Sequence, residues 1–420
     1  MAVLAALREL DSDQRHTVTA SFLGWTLDAF DYFLLVLVLV LDDVARDFHT
    51  SVTKVSFALF LTLAARPLGA LIFGRLADRF GRRPLMMIDV ALYSVLGLAC
   101  AFAPSLTALL VLRFVFGIAM GGEWGIGASL AMEAVPAKSR GIVSGLLQSG
   151  YPCGYFLAAL AYWLVFDHFG WRGMFVVGVV PALLVLYIRR KVPESPVWKA
   201  GHAGGRQVGV FDAMRGHWKL LIYMMLLMAV FNMFSHGSQD MYPTFLQVNL
   251  RIPAGSGTAF MLTALLNIGA LVGGLFFGSL SQGIGRRKAI VIAALLAIPV
   301  IPLWMYGGSL LLLGLGAFLI QVMVQGAWGV VPTHLNELSP GPVRGTLPGF
   351  AYQVGNLLAA ITATAQTWIA DWHGGDFAFS MSLWIGTVAV VLALLAWLGP
   401  EARGARLGGE AADAAATPPA

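Results

Sequence analysis

Long apolar segments, separated by short polar ones, follow one another along almost the whole chain. An α-helix rises 1.5 Å per residue, so about twenty apolar residues cross the ~30 Å hydrocarbon core of a bilayer. The pattern therefore predicts an all-α membrane protein with twelve transmembrane helices. The predicted spans cover residues 18–41, 54–74, 85–103, 106–135, 141–165, 173–190, 218–247, 258–279, 288–306, 309–335, 346–370 and 377–399.

The longest polar segment, residues 191–217, divides six predicted spans from six. We therefore assign residues 1–190 to an N-terminal six-helix bundle and residues 218–400 to a C-terminal one. The segment between them is rich in glycine and basic residues and is interpreted as a cytoplasmic linker. Residues 401–420 are rich in alanine and glycine, and we expect them to form a disordered cytoplasmic tail.

The basic residues are distributed unevenly across this topology. Most of the 27 lysine and arginine residues lie in segments on one side of the predicted membrane, whereas Arg46, Lys54, Arg172 and Arg251 fall on the other. By the positive-inside rule, this asymmetry predicts that both termini lie in the cytoplasm. We expect a multi-pass protein of the plasma membrane, which in a bacterium is the inner membrane. The net charge of +5 follows from these loops and does not predict nucleic-acid binding.

The composition agrees with a membrane protein and offers no sign of an enzyme. Only 12% of the 420 residues are charged, against about a quarter in soluble domains. Cys100 and Cys153 both lie in apolar segments and predict neither a disulfide nor a metal site. The chain has no phosphate-binding loop, no haem or zinc spacing and no catalytic triad signature. We therefore expect no enzymatic activity, no cofactor and no metal.

The two predicted bundles carry the same landmarks at an offset of 204 residues. The motif Gly-x-Leu-x-x-x-x-Gly-Arg-Arg begins at Gly74 and again at Gly278, and Gly-x-Trp-Gly begins at Gly122 and again at Gly326. Glu133 with Arg140 falls in the same way on Glu337 with Arg344. Two homologous halves are a known transporter design, in which a pseudo-two-fold axis relates the bundles and the substrate site lies between them at mid-membrane.

A polar stripe in the seventh predicted span is the first candidate site. Asn232, His236, Asp240 and Thr244 are four residues apart and share one helix face, and Ser235 and Gln239 form a neighbouring row. A membrane interior strongly disfavours such groups unless they face a cavity or a partner. The repeat offset places Asp28 at the position of Asn232 and Tyr32 at that of His236, so the first and seventh spans present polar clusters at the same depth.

Four further charges lie inside the predicted membrane. Asp28 and Asp31 share a face of the first span and need a proton or a counter-charge there, for which Arg113 is the best candidate. These residues fit a proton-coupling device, or a set of ion pairs that holds helices together. Arg66 lies near the middle of the second span, where a guanidinium matches a carboxylate bidentately. We interpret it as the anchor of an anionic substrate, or as a permanent partner of one of the two aspartates.

His236 and Asp240 are one helical turn apart, and such a pair is able to hold or pass a proton. The alternative is a structural pair that fixes a helix interface. Asp240 lies about 12 Å beyond Asn232 along the helix, by the rise per residue. This depth favours a role in proton capture or gating at the outer entrance. Other polar or aromatic side chains are able to line the cavity, although each also fits a helix contact: Gln148, Tyr151, Asn267, Gln325, Trp328, Tyr352, Gln353 and Asn356.

Several of these motifs together resemble the major facilitator superfamily. The segment Gly74 to Arg83 resembles its signature loop, the run Arg113-x-x-x-Gly117-x-x-x-Gly121-Gly122 its fourth-helix signature, and Pro193 to Pro196 the sugar-porter element after the sixth helix. The resemblance implies two bundles that rock around a central site, and a cytoplasmic gate that locks the outward-facing state. The gating residues carried over are Gly74, Asp78, Gly81, Arg82, Arg83, Glu133, Arg140, Glu194, Arg286, Arg287, Glu337 and Arg344. Gln282 stands where the second half would repeat Asp78, which predicts a weaker lock there.

The stripe in the seventh span resembles the signature of the lactate permease family, which belongs with the sialate:proton symporters. This resemblance implies uptake of a monocarboxylate such as lactate or pyruvate together with a proton, with His236, Gln239 and Asp240 in recognition and transport. Asp28-Ala-Phe-Asp31 is also similar to the Asp-Gly-x-Asp motif of aromatic acid:proton symporters, apart from its alanine. Aromatic acids, sialic acid and sugars therefore stay as alternative substrates, and an efflux antiporter or a transport-incompetent sensor as alternative functions. We expect a monomer whose partners are the lipid bilayer, a small carboxylate and protons.

Overall fold

The computed structural model describes residues 8–39, 42–203, 215–253 and 256–407. These residues form nineteen α-helices and two short 3-10 helices, and the described part of the chain contains no strand. In the N-terminal half the α-helices are α1 Ser12–Leu39, α2 Asp42–Asp47, α3 Val52–Phe80, α4 Arg82–Ala101, α5 Leu106–Met120, α6 Glu123–Ala134, α7 Arg140–Gln148, α8 Gly150–Val177, α9 Ala182–Lys191 and α10 Pro196–Ala203. In the C-terminal half they are α11 Trp218–Gln239, α12 Tyr242–Val248, α13 Gly257–Ile284, α14 Arg286–Tyr306, α15 Leu310–Trp328, α16 Val331–Leu338, α17 Leu347–Ala359, α18 Thr362–Trp372 and α19 Phe377–Leu398.

Twelve crossings account for these helices. Ten helical segments of the described chain are long and apolar enough to cross a membrane. One of them, Ala137–Lys191, has 55 residues, and Gly170, with φ 59°, divides it into two crossings. The broken run formed by α17 and α18 supplies the remaining one. The prediction of an all-α protein with twelve transmembrane helices is confirmed.

Some predicted spans are broken where the sequence pattern predicts continuous helix. The fourth span bends at Gly121 and Gly122, between α5 and α6, and its repeat in the second half bends between α15 and α16. The seventh span is also interrupted, because α11 ends at Gln239 and α12 begins at Tyr242. Pro243 lacks the N–H that would continue the ladder back to Gln239. Thr244 therefore belongs to a separate helix, and its predicted place in one row with Asn232 is wrong.

Two glycine turns carry the basic loops of the two halves. Gly81 (φ 107°) and Gly285 (φ 102°) adopt backbone conformations that other residues rarely reach, and each lets one helix end and the next begin at once. We call the end of the bundle that carries Arg82, Arg83, Arg286 and Arg287 the basic face, and the other end the opposite face. The near-identical geometry of the two turns follows from the sequence repeat.

A glutamate accepts hydrogen bonds at the helix start after each turn, where the helix dipole favours negative charge. Glu194 Oε1 accepts from the backbone N–H of Arg82 at 3.0 Å. In the second half, Glu401 Oε2 accepts from the N–H of Arg287 at 3.0 Å. The structure therefore differs from the predicted tail at its start, because residues 401–407 pack against the basic face. The rest of the predicted tail, residues 408–420, lies outside the described residues, as does 204–214 of the predicted linker.

The two halves meet near the basic face through backbone contacts at glycines. A Cβ at Gly125 would lie 2.7 Å from Gly349 Cα, and one at Gly145 would lie 2.3 Å from the carbonyl oxygen of Gly274. A Cβ at Gly141 would lie 2.4 Å from the carbonyl oxygen of Gly278. Real side chains do not reach such distances, so the helices approach this closely only because glycine occupies these positions.

At the opposite face, Asp47 joins α2 to the loop region of α8. Its carboxylate accepts from Trp171 Nε1 at 2.9 Å and pairs with Arg172. The Trp171 hydrogen bond and the adjacent guanidinium lower the pKa of Asp47 below its usual value. Both partners of the ion pair are substantially exposed, and such pairs contribute only about 0–1 kcal/mol.

Asp47→Ala is expected to lower the melting temperature only slightly at pH 7. A carboxylate with a depressed folded-state pKa stabilises the fold above its unfolded value, near 3.9, and loses this effect as pH falls through the folded pKa. The difference in melting temperature between wild type and variant should therefore shrink as pH is lowered from about 5 toward 3. Thermal unfolding of the two purified proteins checks this. A difference that stays constant over that range would contradict the assignment.

Candidate functional site

Arg66 is buried at the centre of α3, where its charge is only partly matched. Its Nη2 lies 3.8 Å from Asp28 Oδ2 and donates to Met120 Sδ at 2.6 Å, and its guanidinium lies 5.3 Å from the ring centre of Tyr32. Arg66 Nε has no hydrogen-bond partner among the described residues. The predicted alternative, a pairing of Arg66 with a first-span aspartate, is present in this conformation. A weak ion pair at 3.8 Å leaves the guanidinium able to exchange Asp28 for another carboxylate.

Asp31 and Arg113 form a second buried region, further toward the opposite face. The Arg113 guanidinium stacks on the rings of Phe116 and Phe175, at 4.4 and 4.5 Å from their centres. Neither carboxylate oxygen of Asp31 has a hydrogen-bond partner in the described chain. Arg113 is the basic group that acts on Asp31 electrostatically. The two side chains are therefore near each other, as predicted, but they make no direct contact.

Two buried acidic residues of the same region were missed from the sequence. Asp89 on α4 and Glu123 at the start of α6 are both 0% exposed. Asp28 acts electrostatically on both of them, and Asp89 acts on Glu123. Both lie inside predicted spans, and an ionisable residue at such a place is by default a functional candidate. Their position inside predicted apolar spans is the sequence signal that identifies them.

An aromatic cluster lies beside the Arg66 region and bridges the halves. The Trp124 and Tyr352 rings are 4.7 Å apart, and Trp25 lies 6.1 Å from Tyr352 and 5.7 Å from Tyr151. Tyr352 also contacts Trp328 at 5.8 Å. The cluster therefore joins α1 and α6 of one half to α15 and α17 of the other. Three of its rings, Tyr151, Trp328 and Tyr352, were named as cavity candidates from the sequence.

The polar stripe on α11 divides into a packed part and an accessible part. Asn232 is 2% exposed and donates to the backbone oxygen of Met228 at 2.8 Å, so it is not directed at an open cavity in this conformation. Ser235 receives hydrogen bonds from Gln239 Nε2 at 3.0 Å and from Gln325 Nε2 at 2.9 Å. Ser235 and Gln239, the row beside the predicted stripe, thus form one hydrogen-bonded group with a side chain from α15.

His236 and Asp240 are accessible from the opposite face. His236 Nδ1 lies 3.2 Å from Asp240 Oδ2, its Nε2 lies 3.2 Å from Asn356 Oδ1, and the Asp240 side chain is 39% exposed. Asp240 is close enough to act electrostatically on Tyr32 and Tyr151 of the other half. The predicted pair is present. It lies in a region where the two halves face each other, and no hydrogen bond or ion pair of the described chain joins the halves there.

Asp78 holds the two halves together at the basic face. Its Oδ1 accepts from the N–H of Gly345 at 2.7 Å, and its Oδ2 accepts from the N–H and the hydroxyl of Thr346 at 3.0 and 2.6 Å. Arg82 Nη2 lies 3.1 Å from the same carboxylate. Gln282, the repeat of Asp78, accepts from the N–H of Gly141 at 3.1 Å and donates to Ala137. Both positions therefore bridge the halves, one with a charged group and the other with a neutral amide.

Six predicted gating residues form a network of four ion pairs. Within the halves, Arg82 lies 3.1 Å from Glu133, and Arg286 lies 2.9 Å from Glu337. Across the halves, Arg140 lies 3.6 Å from Glu337 and Arg344 lies 3.7 Å from Glu133. All of these side chains are buried. The remaining gating candidates lie around this network: Gly74, Gly81, Arg83, Glu194 and Arg287.

These contacts define the conformation of the protein. All hydrogen bonds and ion pairs between the halves within the described ranges involve residues near the basic face, with the aromatic cluster next to them. The protein is therefore closed at the basic face, with His236 and Asp240 accessible from the opposite face. No group of three or more His, Cys, Asp or Glu side chains in the described residues has the geometry of a metal site.

Comparison with known proteins assigns the family. The profile of the Major Facilitator Superfamily matches residues 21–270, more than half of the chain. The chain belongs to the major facilitator superfamily. A second profile, described as sugar (and other) transporter, matches residues 211–403 of this facilitator protein. Its fold is similar to that of the proton:xylose symporter XylE, with a TM-score of 0.77 and 19% identity over 94% of this chain and 98% of the other.

Several curated relatives of this facilitator protein are named for organic acids. It is 29% identical to the sialic acid transporter NanX of Escherichia coli, over 93% of this chain and 95% of the relative. It is 27% identical to the carboxylic acid transporter protein homolog of Saccharomyces cerevisiae, over 90% and 67% of the two chains. It is also 27% identical to the niacin transporter NiaP of Acinetobacter baylyi, over 92% and 93%. The relatives are transporters, in agreement with the prediction that the chain is not an enzyme.

Proposed function

We propose that this protein is a secondary transporter that takes up a small organic monocarboxylate, such as lactate or pyruvate, together with a proton. In this hypothesis the basic face lies in the cytoplasm, so the conformation described above is outward-facing. The observation that carries the proposal is the buried Arg66 guanidinium, held 3.8 Å from Asp28 beside the interface of the two halves. A buried arginine whose carboxylate partner lies as far away as 3.8 Å is well suited to bind a second carboxylate bidentately.

The same pair supplies a reason for proton coupling. An ionised Asp28 competes with a substrate carboxylate for Arg66, whereas a protonated Asp28 does not. Binding of the acid anion is therefore favoured when Asp28 has taken up a proton, and the two ligands move together. His236 and Asp240 lie nearer the entrance, where they are suited to receive protons from the outside.

The names of the relatives support an organic acid as the substrate, since they include carboxylic acid, sialic acid and niacin transporters. The aromatic cluster favours a second candidate function, proton-coupled uptake of an aromatic acid. Rings of Trp25, Trp124 and Tyr352 lie within 4.7–6.4 Å of one another, and flat rings stack well on such a surface. In both candidate functions Arg66 binds the carboxylate of the substrate. The two substrates differ in the size of the group that carries this carboxylate.

Uptake into proteoliposomes tests the proposal. Purified protein is reconstituted, a pH gradient is imposed (acid outside), and uptake of labelled lactate, nicotinate, sialic acid and glucose is measured. We expect accumulation of lactate or nicotinate, abolished by a protonophore. Asp28→Asn is expected to bind the acid without dependence on external pH and to lose accumulation by about tenfold or more, because the proton-accepting carboxyl is gone.

Each outcome decides between the candidates. Accumulation of lactate and not nicotinate supports the small acid, and the reverse supports the aromatic acid. Accumulation of glucose alone, or uptake that a protonophore leaves unchanged, contradicts proton-coupled acid uptake. Counterflow in the absence of a gradient separates a transporter from a protein that only senses its ligand.

A further inference from the structure

Glu123 is buried at the break between α5 and α6, and it has no role in the proposed uptake mechanism. Its side chain is 0% exposed, and neither of its carboxyl oxygens has a hydrogen-bond partner in the part of the chain that the structure describes. A Cβ at Gly24 would lie 2.2 Å from Glu123 Oε1, so the carboxyl lies directly against the α1 backbone. This contact requires glycine at position 24.

Electrostatic interactions link Glu123 to charged and titratable groups on three neighbouring helices of its half and on one helix of the other half. They are Asp28 on α1, Arg66 on α3, Asp89 and Tyr93 on α4, and Tyr352 on α17. Arg66 is the one cation among them, and it is paired with Asp28. An ionised carboxylate without a partner is very unfavourable in an apolar interior. Glu123 and Asp89 are therefore expected to carry protons in this conformation.

A small cavity reaches Glu123 from the interface of the halves. It is lined on one side by Ser21, Trp25 and Glu123 and on the other by Pro332 of the C-terminal half. Ser21 Oγ and Trp25 Nε1 are buried and, like the carboxyl oxygens of Glu123, have no hydrogen-bond partner among the described residues. Three unpartnered polar groups around one cavity indicate a place for a polar ligand, since buried polar groups are normally paired.

The position of this cavity relative to the closed interface indicates its role. Gly125, two residues after Glu123, contacts Gly349 of the other half. Asp28 lies about 10 Å further from the basic face than Ser21, by the rise per residue along α1. Separation of the halves at the basic face would move Pro332 away from Glu123 and open the cavity at that face.

We propose that Glu123 is a second proton-binding carboxyl, which releases its proton to the cytoplasm through the cavity between Ser21, Trp25 and Pro332 once the basic face opens. The inference rests on the proposed proton-coupled uptake. The O–H bond of the Glu123 carboxyl breaks, the proton passes to cytoplasmic water, and the carboxylate is reprotonated by the proton that Asp28 received from outside. Asp89 has no contact with the cavity and is assigned no part in release.

Glu123→Gln and Glu123→Asp test this inference in proteoliposomes, with whichever of labelled lactate and nicotinate the wild type accumulates more. Glu123→Gln should lose gradient-driven accumulation by about tenfold or more, yet keep exchange at equal pH within about threefold, because only the proton step is removed. Its exchange rate should no longer depend on internal pH, while its response to external pH is retained. Glu123→Asp should restore part of the accumulation.

A glycine pair provides a second test that keeps the carboxyl. Gly24→Ala places a methyl group against Glu123 Oε1 and should displace the carboxyl and lower accumulation. Gly97→Ala is the matched control, because its Cβ would have 3.5 Å to the nearest atom, on Phe116, and this variant should behave like wild type.

The outcomes separate this inference from the proposed function. Wild-type protein that accumulates no acid overturns the proposed uptake, and the inference with it. Wild-type accumulation together with full accumulation by Glu123→Gln overturns the inference alone. Loss of exchange in both Glu123→Gln and Glu123→Asp also overturns it, since that pattern indicates a structural role.

Discussion

Replacement of Asp78 by alanine is expected to open the basic face and to slow transport. The Asp78 carboxylate accepts three hydrogen bonds from Gly345 and Thr346 across the interface, at 2.6–3.0 Å. A hydrogen bond to a charged group contributes about 1.5–3 kcal/mol, and every 1.4 kcal/mol changes a population ratio tenfold. The loss of even one such bond predicts a shift of at least 10- to 100-fold toward the state open at the basic face, and a comparable fall in uptake.

Thiol labelling measures this shift directly. A reporter cysteine at Ala128, buried in the closed interface, is introduced after Cys100 and Cys153 have been replaced. A membrane-impermeant maleimide added on the side of the basic face should label it at least 10- to 100-fold faster in Asp78→Ala than in the parent.

Gln282→Ala is the matched comparison, because Gln282 occupies the repeat position and bridges the halves through neutral hydrogen bonds. Such bonds contribute about 0.5–1.5 kcal/mol each, less than bonds to a charged group, so labelling should rise less than in Asp78→Ala. Equal labelling of the Asp78 and Gln282 variants would contradict a charge-based lock in the first half.

Replacement of Arg66 by alanine is expected to abolish acid uptake. The variant removes the proposed anchor and leaves Asp28 buried without its counter-ion. Loss of a charge-assisted carboxylate contact corresponds to about 1.5–3 kcal/mol, or roughly 10- to 100-fold in affinity. Loss of one partner of a buried ion pair costs the folded state about 3–5 kcal/mol, so lower expression is also expected.

The double variant Arg66→Ala/Asp28→Asn separates these two effects. It leaves no unpaired charge at this pair, so its melting temperature should recover toward wild type, whereas acid uptake should stay absent. Arg113→Lys gives a comparison at another buried arginine, which stacks on Phe116 and Phe175. This variant is expected to change the transport rate more than the KM. Acid uptake by the double variant with an unchanged KM would place the anchor elsewhere.

The crossings and the internal repeat were predictable because each depends on local pattern. The offset of 204 residues also anticipated the two glycine turns, and it placed Glu133 and Glu337 in equivalent ion pairs at the basic face. Gln282 was expected to lock the halves less firmly than Asp78. The structure shows a charged carboxylate at Asp78 and a neutral amide at Gln282. That the Gln282 contact holds the halves together less strongly stays a prediction.

Other features depend on three-dimensional contacts that periodicity does not contain. The row from Asn232 to Thr244 assumed a continuous helix, but α11 ends at Gln239 and Asn232 bonds to its own backbone. Glu123 gains its importance from the α1 backbone and from Pro332, which lie about 100 and 200 residues away in sequence. Glu401 belonged to a predicted tail, yet it caps the helix that begins at Arg286.

The glycine contacts at the basic face have a consequence for variants of this protein. At Gly125, Gly141 and Gly145, main-chain atoms of the two halves lie so close that the hydrogen of glycine is the largest group that fits. A single added methyl group at any of them would act as a wedge. It would bias the molecule toward the alternate conformation by steric exclusion alone, leaving the charges around Arg66 untouched. Such variants offer a ligand-free way to trap the form that is open at the basic face for structural work.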